Sequence, residues 1–234
     1  MVENKKETTK NKLETINLNR LVFEMIDNLP ERSRDIVIKR FNLNGKSAQT
    51  LDEIGKEYEI TRERIRQIEM EAIRNLKSVS KKYNLDKALD YLKEIVENYS
   101  GIMSEEKIIR AFLNNKKFKA NEQTILFILS LDDKIKVLRE NKIHTKIYFY
   151  KEEDVLKFKE VIEIIKKYLE EKKNSISFSE IVEIMNENIE VANSYLNANK
   201  IILKNILGEW GCAEWISINP KNIKDKAYLA LKKK

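Results

Sequence analysis

The run Thr61-Arg62-Glu63-Arg64-Ile65-Arg66-Gln67-Ile68-Glu69 constrains this chain more than any other stretch, because it fixes a helix with two unlike faces. Thr61 is placed to act as N-cap, and the helix can run to about Lys77 without meeting a Gly or Pro. At roughly 100° per residue, Ile65, Ile68, Ala72, Ile73 and Leu76 fall on one side and Arg62, Glu63, Arg66 and Gln67 on the other. The apolar side is a core face. The polar side carries residue types that match base edges: Arg pairs bidentately with guanine, Gln with adenine, and Glu accepts from the cytosine amino group. All four lie in the first two turns, the part of a recognition helix that reaches the bases. A solvated charged face is the plain alternative. Against it, Arg62 and Arg66 are like charges four residues apart, which weakens a helix unless something such as phosphate or guanine neutralises them.

The preceding residues supply the rest of a DNA-reading motif. Thr50 to Tyr58 reads as a short helix, with Thr50 as cap, Glu53 as its capping-box partner, and Leu51, Ile54 and Tyr58 facing inward. Glu59-Ile60 leaves room only for the turn of a helix-turn-helix. Glu59 falls where a left-handed conformation is needed, at about 1 kcal/mol for a residue with a side chain. Upstream, Leu29 to Phe41 is a further amphipathic helix, with Pro30 at its start and a Gly-containing loop after it.

From about Leu18 to Lys77 the chain resembles region 4 of the bacterial sigma-70 family of transcription initiation factors. The resemblance is carried by LPERSRDIVIKRF, by TLDEIGKEY, and by TRERIRQIE with the following Ala72, Arg74 and Leu76, and it covers about a quarter of the chain. It implies that Arg62, Glu63, Arg66 and Gln67 read a minus-35-like promoter element in double-stranded DNA. Arg32, Arg40, Thr50 and Leu51 correspond to positions that hold the phosphate backbone, and we add Thr61, Arg64 and Arg74 to that set. The family also docks through this region on the β flap of RNA polymerase, so polymerase core is the second implied partner. Only about twenty residues precede Leu21, polar and without Trp or Tyr, where the family carries its promoter-melting domain. The expectation is therefore a reader that does not open a promoter by itself.

Charge and the scarce residue types agree with this. The net charge of +7 favours a polyanionic partner. From Arg62 to Lys82 the bases Arg62, Arg64, Arg66, Arg74, Lys77, Lys81 and Lys82 oppose only Glu63, Glu69 and Glu71. With one Cys and one His, the chain has no internal disulfide, zinc finger or His-based metal cluster, and we expect no cofactor or metal. Cys212, beside Trp210 and Trp215, reads as a small buried residue. Asp132-Asp133-Lys134 and Glu152-Glu153-Asp154 are the carboxylate clusters that metal-dependent nuclease chemistry would need, but both sit at element ends, where acids cap and turn the chain. An enzyme is not expected. No apolar run approaches a membrane span and no signal core is present, which places the protein in the cytoplasm.

Beyond Leu85 the pattern changes. Helices at Asp86–Tyr99, Ser104–Leu113 and Asn121–Leu129 precede a hairpin of Ile135–Leu138 and Ile143–Tyr150. A second series has helix Val155–Lys172, a short strand at Ile176–Phe178, helices Ser179–Asn186 and Val191–Asn199, and strands near Ile201–Leu203 and Trp215–Ile218. Three helices and a terminal hairpin describe a winged helix. The expected fold is thus mainly α, a three-helix helix-turn-helix domain followed by two winged-helix-like (α+β) modules. The expected boundaries are 1-17 for a disordered basic tail, 18-84, 85-151 and 152-219 for the three domains, and 220-234 for a last helix.

That last segment resembles the start of a HARE-HTH domain, the winged-helix type of the RNA polymerase delta subunit, with an apolar stripe of Ile223, Ala227 and Leu231. Lys142, His144 and Lys146 on the first hairpin are candidate wing contacts, with a plain amphipathic hairpin as the equal alternative. Two further functions stay open: a polymerase regulator that docks on the β flap with little DNA affinity, and a DNA-binding component of a restriction-type enzyme.

Overall fold

The structure of the protein, a computed structural model, describes residues 15–232, with side chains to residue 227. The expected tail 1-17 falls almost wholly outside the described residues. The elements in chain order are β1 (Ile16–Asn17), α1 (Leu18–Ile26), α2 (Glu31–Phe41), α3 (Leu51–Glu57), α4 (Arg62–Val79), a 3-10 turn (Ser80–Tyr83) and α5 (Asp86–Asn98). They continue with β2 (Ile102–Ser104), α6 (Glu105–Asn114), β3 (Phe118–Lys119), α7 (Glu122–Leu131), β4 (Lys136–Leu138) and β5 (Ile147–Phe149). Last come α8 (Glu152–Lys172), α9 (Phe178–Met185), α10 (Ile189–Ala198), β6 (Ile202–Lys204), β7 (Trp210–Cys212) and α11 (Ile223–Lys232). The fold is mainly α, as expected.

Residues group into two compact units that do not follow the expected boundaries. The first joins the chain up to Leu85 to Phe112–Leu131, and the second joins Asp86–Ala111 to Asp132–Lys234. The expected module 85-151 is therefore divided between them, and one division falls inside α6.

The reason lies in α7. Its Thr124, Ile125, Phe127, Ile128, Leu129 and Leu131 are all buried, so the helix is apolar nearly all round and needs cover on more than one side. In the first unit it packs against α1, α2 and α4, and Phe127 meets Phe41 edge-on with ring centroids 5.0 Å apart. The parallel pair β1 and β3, Ile16 opposite Phe118, ties the start of this unit to its late segment. The rest of the core includes Leu18, Val22, Met25 and Ile26 of α1, Ile36 and Val37 of α2, Ile54 of α3, and Ile65, Ala72 and Leu76 of α4.

The second unit is built on α8. Val155, Phe158, Ile162, Ile165 and Leu169 recur at helical spacing and all are buried. Glu152, Glu153 and Asp154 occupy the first turn of α8, where carboxylates complement the helix dipole, and Lys173 ends the helix in a left-handed conformation. The spine contributes to one continuous core that includes Ile102, Ile147 and Phe149 on one side and Ile181, Tyr195 and Ile202 on the other. Residues of the two expected winged-helix modules thus share a core. Ser194 of α10 seals the join by donating to the Ile102 carbonyl at 3.0 Å.

Two sheets complete this unit. One is the antiparallel order β2-β5-β4, and the other is the hairpin β6-β7. Strand β2 has no counterpart in the sequence expectation. The expected strand at Ile176–Phe178 contracts to a single bridge between Ile176 and Trp210, because Ser177 caps α9 by accepting from the Glu180 amide. The expected strand at Trp215–Ile218 is a turn, and the partner of β6 is instead Trp210–Cys212. Gly211 explains the exchange: a Cβ there would lie 2.6 Å from Ile218 Cγ1, so Trp215 and Ile218 fold back over the bare backbone of β7. The last expected helix forms as α11, with Ile223 and Ala227 exposed, and the Leu231 side chain lies outside the described ones.

Removing the Phe127 ring leaves a cavity among α7, α2 and the helix-turn-helix core. Phe127→Ala is expected to destabilise the first unit by about 3–5 kcal/mol, measured by chemical denaturation. A change below about 1 kcal/mol would show that α7 does not belong to that core.

Candidate nucleic-acid interface

Helix α4 is held from both ends of the turn that precedes it. Thr50 caps α3 with a complete capping box, its hydroxyl accepting from the Glu53 amide while the Glu53 carboxylate accepts from the Thr50 amide at 2.6 Å. Thr61 caps α4 by accepting from the Arg64 amide at 3.2 Å. Between them Glu59 takes φ 53°, the left-handed conformation expected there. The Ile60 amide donates back to the Gly55 carbonyl at 3.0 Å. Gly55 is buried, and a Cβ on it would stand 2.8 Å from the Ile60 carbonyl oxygen. Gly55 has no role in the sequence reading, although a glycine inside an amphipathic helix one turn before a helix-turn-helix bend is a signal of close backbone approach.

Burial divides α4 as the periodicity requires. Ile65, Ala72 and Leu76 are buried and Ile68 and Ile73 half-buried, while Arg62, Glu63, Arg66 and Gln67 are exposed. Ile65 closes a small cluster with Ile36 and Ile54, onto which Leu51, Tyr58, Ile60 and Ile68 pack. This cluster fixes the rotation of α4 about its own axis, and so the direction in which the four polar side chains project.

The exposed side chains are not unpaired. The Arg66 guanidinium donates to both carboxylate oxygens of Glu63, at 2.8 and 2.6 Å, and Arg64 donates to Gln67 at 3.2 Å. Arg62 lies 3.7 Å from Asp52 of α3. The like charges at Arg62 and Arg66 are thus each neutralised within the protein, which removes the helix-stability argument for an external anion. These pairs are largely solvent-exposed and worth little, so they open readily. Glu63 is held below the usual carboxylate range, chiefly by the hydrogen bond from Arg66.

The expected phosphate-binding residues fall into two groups. Thr50, Thr61, Arg64 and Arg74 are exposed, and Leu51 is half-buried at the first turn of α3. Arg32 is exposed, with its guanidinium 5.0 Å from the centroid of the Tyr58 ring. Arg40 differs, because its guanidinium donates to the Gln49 carbonyl at 3.2 Å and stands 3.5 Å from the Glu69 carboxylate. Burial pushes Glu69 up from the ordinary range, and Arg40 opposes that shift. Arg40 therefore braces α2, the loop before α3, and α4, and this bracing is its first structural role.

A second brace joins α2 and α3. Lys39 Nζ lies 2.7 Å from Asp35 and 2.5 Å from Glu57, the Tyr58 hydroxyl donates to Asp35 at 2.6 Å, and Gln49 donates to Glu57 at 2.5 Å. Burial raises the Asp35 carboxyl, but the hydrogen bonds from Lys39 and Tyr58 outweigh it and hold the group below its usual range.

The candidate wing contacts separate. Lys142 is exposed, whereas Lys146 pairs with Glu105 at 2.5 Å. His144 is only 2% exposed, so it is no surface contact. Its Nδ1 lies 2.8 Å from the Thr145 carbonyl and its Nε2 2.9 Å from Asn141 Nδ2, a set satisfied by a neutral ring that donates to the first and accepts from the second. The acid clusters behave as element ends: Asp132 accepts from the Lys134 amide and the Tyr150 hydroxyl, and the run 152–154 opens α8. Among the described residues no group of His, Cys, Asp and Glu could hold a metal ion, and no helix is long and apolar enough to cross a membrane.

Two variants test the local mechanics. Gly55→Ala gains about 1 kcal/mol of helix propensity, but overpacking against a backbone oxygen costs about 1–3 kcal/mol. Net destabilisation in chemical denaturation is the expected outcome, and a stabilised variant would show that the turn relaxes freely. For Asp35, a folded-state pKa below the unfolded one means that its stabilisation is present above the unfolded value and is lost as pH falls through the folded one. Stability of the first unit should decline below about pH 4, and Asp35→Asn should flatten that decline. An unchanged pH profile would remove Asp35 from the brace.

Comparison with known proteins places the likeness on these same helices. Residues 25–78 match the family model for sigma-70, region 4. The chain is 41% identical over 69 residues to RNA polymerase sigma factor SigA of Clostridium acetobutylicum, covering 30% of this chain and 18% of that protein. It is 40% identical over 67 residues to a sigma factor SigA from a Bacillus species, covering 29% of this chain and 18% of the relative. The chain thus spans about a fifth of the length of the curated relatives it matches, and the likeness to sigma-70 region 4 rests on the segment that builds the helix-turn-helix.

Proposed function

We propose that this chain is a sequence-specific DNA-binding transcription factor that reads a minus-35-like promoter element with α4. The observation that carries the reading is the exposure of Arg62, Glu63, Arg66 and Gln67 on the first two turns of a helix whose opposite face is locked into a core. In this reading the Glu63–Arg66 pair opens or turns as a unit when a guanine edge takes the guanidinium fork. Arg32, Thr50, Leu51, Thr61, Arg64 and Arg74 hold the phosphate backbone, the first turns of α3 and α4 presenting amide N–H groups beside them. Arg40 acts through the brace with Glu69. Double-stranded DNA is the first partner. RNA polymerase core is the second, supported by the names of the matched relatives, with the β flap as the docking element.

Selection of bound sequences from a random duplex pool, with and without polymerase core, tests this directly. Enrichment of one motif by the chain alone is expected. Log affinity should fall with log salt with a slope of roughly −4 to −5, for four to six phosphates at about 0.9 each. Arg66→Ala should reduce discrimination between the selected site and a scrambled one by about 1–3 kcal/mol while leaving non-specific affinity nearly unchanged. A folded Arg66→Ala protein that kept the full ratio would refute the assignment of α4 as the reader.

A further inference from the structure

A methionine thioether is apolar and a weak hydrogen-bond acceptor, and its sulfur is open to two-electron oxidation wherever an oxidant can reach it. Of the five methionines in the chain, Met25, Met103 and Met185 are buried, at 0%, 0% and 8% exposure, and Met1 lies outside the described residues. Met70 is 49% exposed. The one cysteine, Cys212, is buried, and that burial pushes its thiol up, away from the reactive thiolate. Among the described sulfur atoms, Met70 Sδ is thus the one within ready reach of an oxidant in solution.

Met70 stands one helical turn beyond Arg66 on α4, and Arg66 one turn beyond Glu63, so the three side chains are neighbours on the helix surface. The Arg66 guanidinium lies between the other two: Nε and Nη2 donate to Glu63, and Nη1 donates to Met70 Sδ at 2.8 Å. These contacts differ in kind. The carboxylate pair is charge-assisted, whereas a thioether holds a cation weakly. For the Glu63–Arg66 pair to turn as a unit toward a base edge, Nη1 has to leave Met70, and a thioether lets it go at little cost.

A sulfoxide does not. Its oxygen is a strong acceptor on the same sulfur, and a hydrogen bond to it from a guanidinium is of the stronger, charged class. All three nitrogens of Arg66 are then engaged by side chains of its own helix.

We propose that Met70 is a site of oxidation to methionine sulfoxide by a peroxide, and that the sulfoxide oxygen retains the Arg66 guanidinium on the helix and weakens base reading by α4. In the step, a sulfur lone pair attacks one peroxide oxygen, and the S–O bond forms as the O–O bond breaks. The departing hydroxide takes the proton of the transferred oxygen and leaves as water. Sulfur gives up two electrons and the peroxide accepts them. Methionine sulfoxide reductases reverse the modification. The effect on DNA rests on the reading role proposed for α4.

The full chain, treated with hydrogen peroxide and mapped by mass spectrometry, tests the site, and titration on the selected and scrambled duplexes tests its effect. Met70 should be oxidised before Met25, Met103 and Met185. The ratio of affinities for the two duplexes should then fall by about tenfold, the scale of one hydrogen bond to a charged group, with an unchanged circular dichroism spectrum. The two epimer-specific sulfoxide reductases together should restore it. Met70→Leu should give the same ratio before and after peroxide. Oxidation of Met70 no faster than that of Met185 overturns the proposal. So does an oxidised parent that keeps its full ratio while Arg66→Ala loses it, or a Met70→Leu chain that responds to peroxide as the parent does. An Arg66→Ala chain that keeps the full ratio instead sinks the reading by α4, and the proposal with it.

Discussion

The approach of the Ile60 carbonyl to the bare backbone of Gly55 sets the geometry on which the helix-turn-helix depends. It lets the turn after α3 close at Glu59 in a left-handed conformation and brings Thr61 to the start of α4, where its hydroxyl can meet the Arg64 amide. Once the caps of α3 and α4 are fixed, Ile54 and Ile65 meet Ile36 in one cluster. The azimuth of α4 is then no longer adjustable. Every polar residue on its outer face inherits its direction from that contact, which is why a buried glycine and three isoleucines decide where Arg62 and Arg66 point.

The ion pairs on that outer face fit the same logic. For the reading role proposed for α4, its arginines must not bind their own acids too well, yet must not be left repelling one another. Glu63 and Asp52 neutralise Arg66 and Arg62 at positions where solvent screens the attraction, with side chains about half exposed or more. Buried, the same pairs would be costly to break. Glu69, by contrast, is largely buried against Arg40, and the pair serves as a brace that exchange with phosphate would disrupt.

Much of the first unit was legible in the sequence because its determinants are local. Caps, a capping box, a 3.6-residue stripe and the left-handed position of Glu59 are each set by a few neighbouring residues, and each sits where the pattern places it. What was not legible is long-range. Nothing local says that α7 belongs with α1, α2 and α4, because a helix apolar all round marks burial without naming its partner. Strand β2, three residues long and buried throughout, shows no alternation to read. His144 looked exposed because alternation along a supposed strand put it beside Lys142 and Lys146. The strand begins only at Ile147, and the preceding residues turn inward to bridge Asn199. The base-reading role proposed for α4 rests on the residue types that its exposed face carries and on the likeness of residues 25–78 to sigma-70, region 4.

The division of the chain has a consequence for how the helix-turn-helix is held. The first unit is completed by residues that arrive only after the intervening segment Asp86–Ala111, which is itself folded into the second unit. Closing a flexible loop of that length would cost about 3 kcal/mol in chain entropy. Burying the large side chains of α7, at roughly 1.5–3 kcal/mol each, outweighs that several-fold. The segment is also no flexible loop, since α5 presents a buried stripe of its own and Ile102 of β2 belongs to the core built on α8. The chain therefore passes between the units three times, after Leu85, within α6 and after Leu131. A helix-turn-helix attached by a single tether could be excised with its fold intact. Here the helices that orient α4 take part of their cover from sequence that lies beyond the first stretch of the second unit, so its stability is a property of the longer chain.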